Sequence, residues 1–148
     1  MKKITFIAVA CALLATPALA NEKEDAVKAR QAFYKSMGGE MRPLMNNIKG
    51  EYDAASAQEH ADKLASITKT DVTTYFVEGT SNQDMPGKTE ASPKIWEDMA
   101  GFKEKFSALQ TAVATLKVEA GKGKAELGAA FQQVGASCKS CHDAFREK

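Results

Sequence analysis

The chain has 148 residues, of which 44% are apolar and 26% are charged, and its formal net charge is +1. This length suits one domain with a substantial core. The balanced charge argues against a dedicated nucleic-acid-binding protein, which is usually strongly basic, and the frequency of large apolar residues argues against a disordered chain. Aromatic residues make up only 7% of the sequence, and the abundance of Ala, Lys, Glu and Gln favours helices over strands.

The N-terminus has the three parts of a secretory signal. Lys2 and Lys3 precede an apolar run over residues 4–15, and Ala18-Leu19-Ala20 is an A-x-A cleavage site. The run is too short for a membrane anchor. We therefore expect residues 1–20 to be a cleaved signal peptide; the alternatives are a buried N-terminal helix and a lipoprotein signal at Cys11.

Cleavage after Ala20 leaves one predicted domain over residues 21–148, with Cys138 and Cys141 as its two cysteines. No other apolar run is long enough to span a bilayer, so we expect a soluble exported protein. The predicted location is the periplasm of a Gram-negative bacterium, which is an oxidising compartment.

Four helix-sized segments follow in the chain, separated by Gly50, the loop 77–93 and Gly121 to Gly123. In each segment the apolar residues recur at alternating spacings of three and four, which gives each helix one apolar stripe. The spacing predicts a first helix over about 22–49 and a second over about 53–70. A third is predicted to start at Ser92-Pro93, and a fourth to run from about 122 to the end. The fold class is all-α, an antiparallel four-helix bundle. Gly38-Gly39 and Pro43 are expected to bend or weaken the first helix.

The C-terminal segment contains Cys138-Lys139-Ser140-Cys141-His142, which is the C-x-x-C-H signature of c-type haem attachment. Positions i, i+3 and i+4 share one face of a helix, so both thiols and the imidazole can reach one porphyrin. The thiols would add to the two haem vinyl groups as thioethers, and His142 would ligate the iron. We predict one covalently bound haem c.

A disulfide, a redox dithiol and a zinc site are weaker interpretations of the same cysteine pair. A disulfide between residues so close in sequence would stabilise very little. A thioredoxin-like dithiol needs a βαβ setting, and a zinc site needs two more ligands, for which His60 is the remaining nitrogen candidate.

The mature chain resembles the cytochrome c prime family of class II c-type cytochromes. The resemblance lies in Ala26-Val27-Lys28-Ala29-Arg30-Gln31, in Pro93-Lys94-Ile95-Trp96, and in the stretch from Val134 through the motif to Arg146. It implies a four-helix bundle, usually a homodimer, with haem between the helices and five-coordinate iron.

Arg30 and Tyr34 occupy the apolar stripe of the first segment. A buried arginine needs an anion, which haem propionates would provide; the alternative is an arginine that extends to water beside a packing tyrosine. The resemblance implies that Arg30 and Gln31 contact the haem, and that Tyr34 crowds the vacant iron face, where low-spin relatives have a ligating methionine. We expect Met37 beside Tyr34 in this distal pocket.

Three further haem contacts are expected. Glu90 matches an acidic haem-edge contact of the family, although it could be a solvated loop charge. Arg146 lies one turn after His142 and either sits beside the imidazole or caps the last helix. Trp96 is expected in the core beside the haem.

The spacing of the motif does not identify the sixth ligand of the iron. Thioether candidates are Met37, Met41, Met45, Met85 and Met99, although methionines more often fill cores. His60 is an imidazole candidate, but its charged neighbours favour a surface or half-buried position.

Three functions compete. The first is a five-coordinate haem protein that binds small gases such as NO and CO. The second is a one-electron carrier with redox partner proteins, either with the same iron or as a low-spin Met-ligated cytochrome. The third, a haem enzyme such as a peroxidase or NO reductase, is disfavoured because a peroxidase uses a distal base and acid, and Tyr34 is a poor base.

Overall fold

A computed structural model describes the backbone of residues 17–147 and the side chains from residue 21 onward. The helices are α1 (Pro17–Lys49), α2 (Ala54–Ile67), α3 (Lys94–Glu97), α4 (Met99–Glu119) and α5 (Lys124–Phe145), and a 3₁₀ helix covers Val72–Tyr75. The predicted signal peptide falls outside the described residues, except for 17–20, whose backbone begins α1.

The four long helices form the predicted bundle. α1 packs against α2 and α5, and α4 packs against α5 and α2, so the four helices close around one core. That core takes residues from all four predicted stripes, among them Leu44, Leu64, Leu116 and Leu127, which are all completely inaccessible to solvent. The only β-type pairing within the described residues is an isolated bridge between Ala91 and Arg146.

α1 differs from expectation because it continues through Gly38, Gly39 and Pro43 as one helix of 33 residues. Burial of flanking side chains explains this continuity. Met37 and Leu44 lie on either side of the weak positions and both belong to the core, so tertiary packing outweighs the local helix propensity.

The third predicted helix is in fact two helices. α3 ends at Glu97, and Asp98 leaves helical geometry with φ −132° and ψ 61°. The Asp98 side chain then caps α4 by accepting a hydrogen bond from the Gly101 backbone N–H at 2.8 Å.

The segment between α2 and α3 crosses the bundle and is tied to both α1 and α5. Arg30 of α1 donates hydrogen bonds into it, and the Ser92 backbone N–H donates to the carbonyl of Phe145 at the end of α5. Gly79 and Gly87 have φ near +75°, a left-handed conformation that glycine adopts without strain. Across the residues that the structure describes, no helix is both long and apolar enough to cross a membrane.

Candidate haem-binding site

Cys138, Cys141 and His142 lie on one face of α5 and all three line the same cavity. Both thiols are free and half-buried, and burial raises the pKa of each. Burial also lowers the pKa of His142, and the nearby positive charge of Arg146 acts in the same direction. The imidazole is therefore held in its neutral form, which has the lone pair that a metal ion requires.

The cavity has a volume of about 790 Å³, within the range of about 300–1,000 Å³ that is typical of small-molecule and cofactor sites. α1, α4 and α5 form most of its walls, together with residues 87–91, Phe76 and Ile95 of α3. Its apolar wall comprises the side chains of Phe76, Ile95, Phe102, Phe106, Leu109, Val134 and Phe145. A flat apolar group fits such a wall, because its own surface is removed from water on binding.

Arg30 is the buried charge of the cavity wall, with 4% of the residue exposed. Its Nη2 donates to the Thr80 carbonyl at 2.9 Å and to Thr89 Oγ1 at 2.8 Å, and its guanidinium lies 4.7 Å from the centre of the Phe76 ring. Burial lowers its pKa, yet an arginine stays protonated in proteins. Within residues 21–147 no carboxylate pairs with Arg30, so the wall offers a buried cation to an anionic group.

Tyr34 follows Arg30 by four residues on α1 and lines the same cavity, with Met37 and Met41 beyond it. Its ring packs edge-on against Phe33, with 5.2 Å between centroids. Burial is the main cause that raises the pKa of Tyr34, and the two cysteines of the motif contribute to the shift. The phenol is therefore neutral and lies within electrostatic range of the thiols on α5.

The rim of the cavity is polar. Glu90 accepts a hydrogen bond from Arg146 Nε at 2.5 Å and also forms an ion pair with that guanidinium. Gln31 Nε2 donates to the carbonyl of Lys88 at 2.8 Å. All four residues line the cavity, and these contacts hold the crossing segment between α1 and α5. Arg146 is also the C-cap residue of α5, and its backbone N–H donates to the carbonyl of His142.

The cavity wall contains every predicted site residue except Trp96. Trp96 follows Ile95, which does line the cavity, and successive helical residues are rotated by about 100°. The Trp96 indole donates to the Phe76 carbonyl at 3.0 Å and packs edge-on against the Phe76 ring. Trp96 is partly buried against the core, as expected; it supports the cavity wall through Phe76 and is not itself part of that wall.

The candidates for a sixth iron ligand fall into two groups, those that line the cavity and those that do not. Met37 and Met41 line the cavity, whereas Met45, Met85 and Met99 are not part of its wall. His60 is also absent from the wall: it is half-buried between α1 and α2, where its Nδ1 lies 2.7 Å from Glu40 Oε2.

Three polar residues of this region were not predicted from the sequence. Thr80 and Thr89 accept hydrogen bonds from Arg30, and Lys105 of α4 lines the cavity and donates to Ser140 Oγ within the motif at 2.9 Å. No periodicity or motif singles out the two threonines, because they lie in an irregular segment more than 45 residues from their partner. Lys105 adjoins the apolar stripe at Phe106, but nothing in the sequence places it beside the motif.

Comparison with known proteins gives a consistent result. The family model described as Cytochrome C' matches residues 25–146. A cytochrome c' of Cereibacter sphaeroides is 43% identical over 144 residues, covering 96% of each chain. The chain belongs to the cytochrome c' family.

Solved structures of cytochrome c' agree with this assignment. A cytochrome c' from Rhodobacter sphaeroides is 43% identical, with a TM-score of 0.82 over 85% of this chain and 98% of that one. The nitric oxide complex of a mutant cytochrome c prime from Alcaligenes xylosoxidans is 36% identical, with a TM-score of 0.74 over 85% and 97%. A third, described as having an unusual ligand-controlled dimer dissociation, is 31% identical, with a TM-score of 0.79 over 85% and 97%.

Membership of the cytochrome c' family implies a covalently bound haem c. The residues present fit that group: two thiols and a neutral imidazole share one helix face, the walls are apolar, and Arg30 offers a buried cation to a carboxylate. The described residues contain no cluster of three or more His, Cys, Asp or Glu side chains that could hold a metal ion by themselves. Two thiols and one imidazole on a single helix face suit a haem, which brings most of the iron ligands itself.

Proposed function

We propose that this cytochrome c' carries one haem c through thioethers to Cys138 and Cys141, with His142 as the axial ligand and the other face of the iron free of a protein ligand. The protein would then bind small neutral gases, NO and CO first, and transfer single electrons. When bound, the haem supplies an open coordination position and a one-electron couple. Every other part of the function depends on the residues of the cavity.

The α5 residues hold the group and the α1 residues control the approach to it. The two thiols fix its position, and the lowered pKa of His142 keeps the imidazole able to bind iron. Arg30, whose orientation is fixed by Thr80 and Thr89, would neutralise a propionate in the buried part of the wall. The Glu90–Arg146 pair at the rim holds the crossing segment over the cavity.

The observation that carries the proposal is the position of Tyr34. It lies in the cavity wall one turn beyond Arg30, and its phenol is neutral because burial raises its pKa. A neutral phenol is a poor ligand for ferrous iron, but its ring excludes water and bulky ligands. Such a wall favours a small uncharged ligand.

The alternative is a low-spin electron carrier in which a methionine ligates the iron. Its support is that Met37 and Met41 both line the cavity, so a thioether is available on the α1 wall. Met37 is, however, almost fully buried and belongs to the hydrophobic core, which argues for a packing role. We propose no enzymatic activity, because neither a neutral phenol nor a guanidinium already bound to two threonines is an effective general base.

Optical spectroscopy of the purified protein, with and without CO, tests the proposal. We expect a high-spin spectrum for the ferrous protein that changes on addition of CO. A low-spin spectrum that does not respond to CO would support the methionine-ligated alternative. Tyr34→Met is the matched control, because it places a thioether on the same wall and should shift the iron to low spin.

We further propose that residues 1–20 are removed on export to the periplasm and that the mature protein is a homodimer, as the family resemblance implies. Mass spectrometry of protein purified from the periplasm should give a chain that starts at Asn21 and carries the mass of one haem. Sedimentation equilibrium should give twice that mass.

A further inference from the structure

Gly38 occupies a position where helix geometry does not require a glycine. It lies in the interior of α1, where glycine is destabilising relative to alanine. Gly79 and Gly87 are the only glycines with left-handed φ in the described chain, so the backbone conformation at Gly38 does not require a glycine. A Cβ built on Gly38 would meet no neighbouring heavy atom within 4 Å, so close packing within the chain does not explain the glycine either.

Gly38 lines the cavity one helical turn after Tyr34, between the wall residues Met37 and Met41. The Cα–Cβ bonds of a helix tilt towards its N-terminus, so a side chain at residue i+4 lies over the turn that carries residue i. A side chain at position 38 would therefore lie beside the ring of Tyr34. Glycine leaves that part of the cavity wall empty.

The other sides of the Tyr34 ring are restricted. Phe33 packs against it with 5.2 Å between ring centroids. The turn that precedes it carries Arg30, whose guanidinium is fixed by Thr80 and Thr89. In the direction along α1 away from Arg30, position 38 carries no side chain, and a Cβ there would meet no heavy atom within 4 Å, with Met37 and Met41 as the neighbouring wall residues.

We propose that Gly38 determines ligand specificity by providing the space into which the Tyr34 ring moves when a diatomic ligand occupies the cavity. This inference rests on the proposed function, because it requires an iron face that is open to a gas. The space is that of one missing side chain, so it permits a small displacement of the ring. A diatomic molecule needs only such a displacement, whereas a larger ligand needs more.

The test compares substitutions at Gly38 with the same substitutions at Gly39. Gly39 is the next residue of α1, a Cβ there would also meet no atom within 4 Å, and it is not part of the cavity wall. We expect Gly38→Leu to lower the CO affinity of the ferrous holoprotein by roughly tenfold, since overpacking of this kind is costly. Gly38→Ala should lower it by a smaller factor, and Gly39→Ala and Gly39→Leu should leave it unchanged.

The role of the Tyr34 ring is tested by repeating the Gly38 substitutions in a Tyr34→Ala background. If position 38 acts through the ring, Gly38→Leu should have little effect on CO affinity once the ring is absent. An equal loss of affinity in both backgrounds would overturn the inference, because the leucine would then obstruct the ligand or the haem directly. Should Gly38→Leu fail to load haem, Gly38→Ala in the two backgrounds decides in the same way.

A second measurement uses the haem-free protein. Gly38→Ala and Gly39→Ala should raise its thermal unfolding midpoint by similar amounts, because each removes one glycine from the same helix. A fall in the midpoint for Gly38→Ala alone would show that the glycine is needed for packing and would overturn the inference. If the wild-type ferrous protein does not bind CO, the proposed function itself fails; if it binds CO and the Gly38 and Gly39 variants do not differ, only this inference fails.

Discussion

Replacing Tyr34 by Ala should raise the affinity of the reduced protein for CO. The ring lines the cavity and packs edge-on against Phe33 at 5.2 Å between centroids and 79° between planes. Such an aromatic pair stabilises by about 0.5–1.5 kcal/mol beyond its buried area. A ligand that displaces the ring loses this contribution, and about 1.4 kcal/mol corresponds to a tenfold change in affinity. We therefore expect Tyr34→Ala to bind CO roughly two- to tenfold more tightly.

The assay is titration of the reduced wild type and variant with CO, followed by optical spectroscopy. Tyr34→Phe is the matched control: it keeps the ring and removes the hydroxyl, so its CO affinity should remain close to that of the wild type. An unchanged affinity in Tyr34→Ala would refute the reasoning and would make Met37 the next residue to test. A gain in Tyr34→Phe equal to that in Tyr34→Ala would assign the effect to the hydroxyl group.

Three further predictions follow from the site. His142→Ala removes the axial nitrogen, so the purified variant should contain little or no haem, whereas the wild type should keep its haem on the protein during acid–acetone extraction; complete release of wild-type haem into the organic phase would contradict covalent attachment. Arg30→Met removes a buried cation that has no acidic partner in the described chain, so calorimetry should show a lower unfolding temperature for the haem-loaded protein and little change for the haem-free protein. An equal fall in the unfolding temperature of both forms would mean that Arg30 stabilises the protein only through its hydrogen bonds to Thr80 and Thr89. The haem-free wild type should show reduced helix content or a low melting point by circular dichroism, because the cavity of about 790 Å³ loses the ligand that stabilises the native state; a melting point equal to that of the loaded protein would contradict this.

The bundle could be predicted from sequence because its helices are amphipathic at regular spacing. Leu44, Leu64, Leu116 and Leu127 belong to predicted stripes and are fully buried. The motif could be predicted for a related reason: its three donors lie within a single short stretch of α5, so local helix geometry alone brings them together.

The features of the fold that could not be predicted from the sequence depend on tertiary contacts. Phe33 lies outside the predicted stripe of α1, yet it is buried and packs against Tyr34, because α1 contacts neighbours on more than one side. The break at Asp98 separates α3 from α4, and Trp96 of α3 packs against Phe76 without lining the cavity. The sequence signal of the break is Asp98, which caps α4 three residues before Gly101. Periodicity does not distinguish such a cap from an ordinary polar position.

For Arg30 the sequence predicted a buried position but not the hydrogen-bond partners. A charged residue within an apolar stripe correctly indicated a buried cation that lines a cavity. The partners Thr80 and Thr89 could not be found, because a segment without periodicity carries no information about where it crosses the bundle. The pairing of Glu90 with Arg146 depends on the same crossing.

The central claim is that His142 provides the axial ligand and that no side chain of the α1 wall binds the iron. Low-temperature electron paramagnetic resonance of the ferric wild-type protein tests it most directly, with Tyr34→Met as the comparison. We predict a high-spin signal for the wild type and conversion towards a low-spin signal in Tyr34→Met. A low-spin signal from the wild type would contradict the claim, because it would show that a second side chain, with Met37 and Met41 the available thioethers, already occupies the iron.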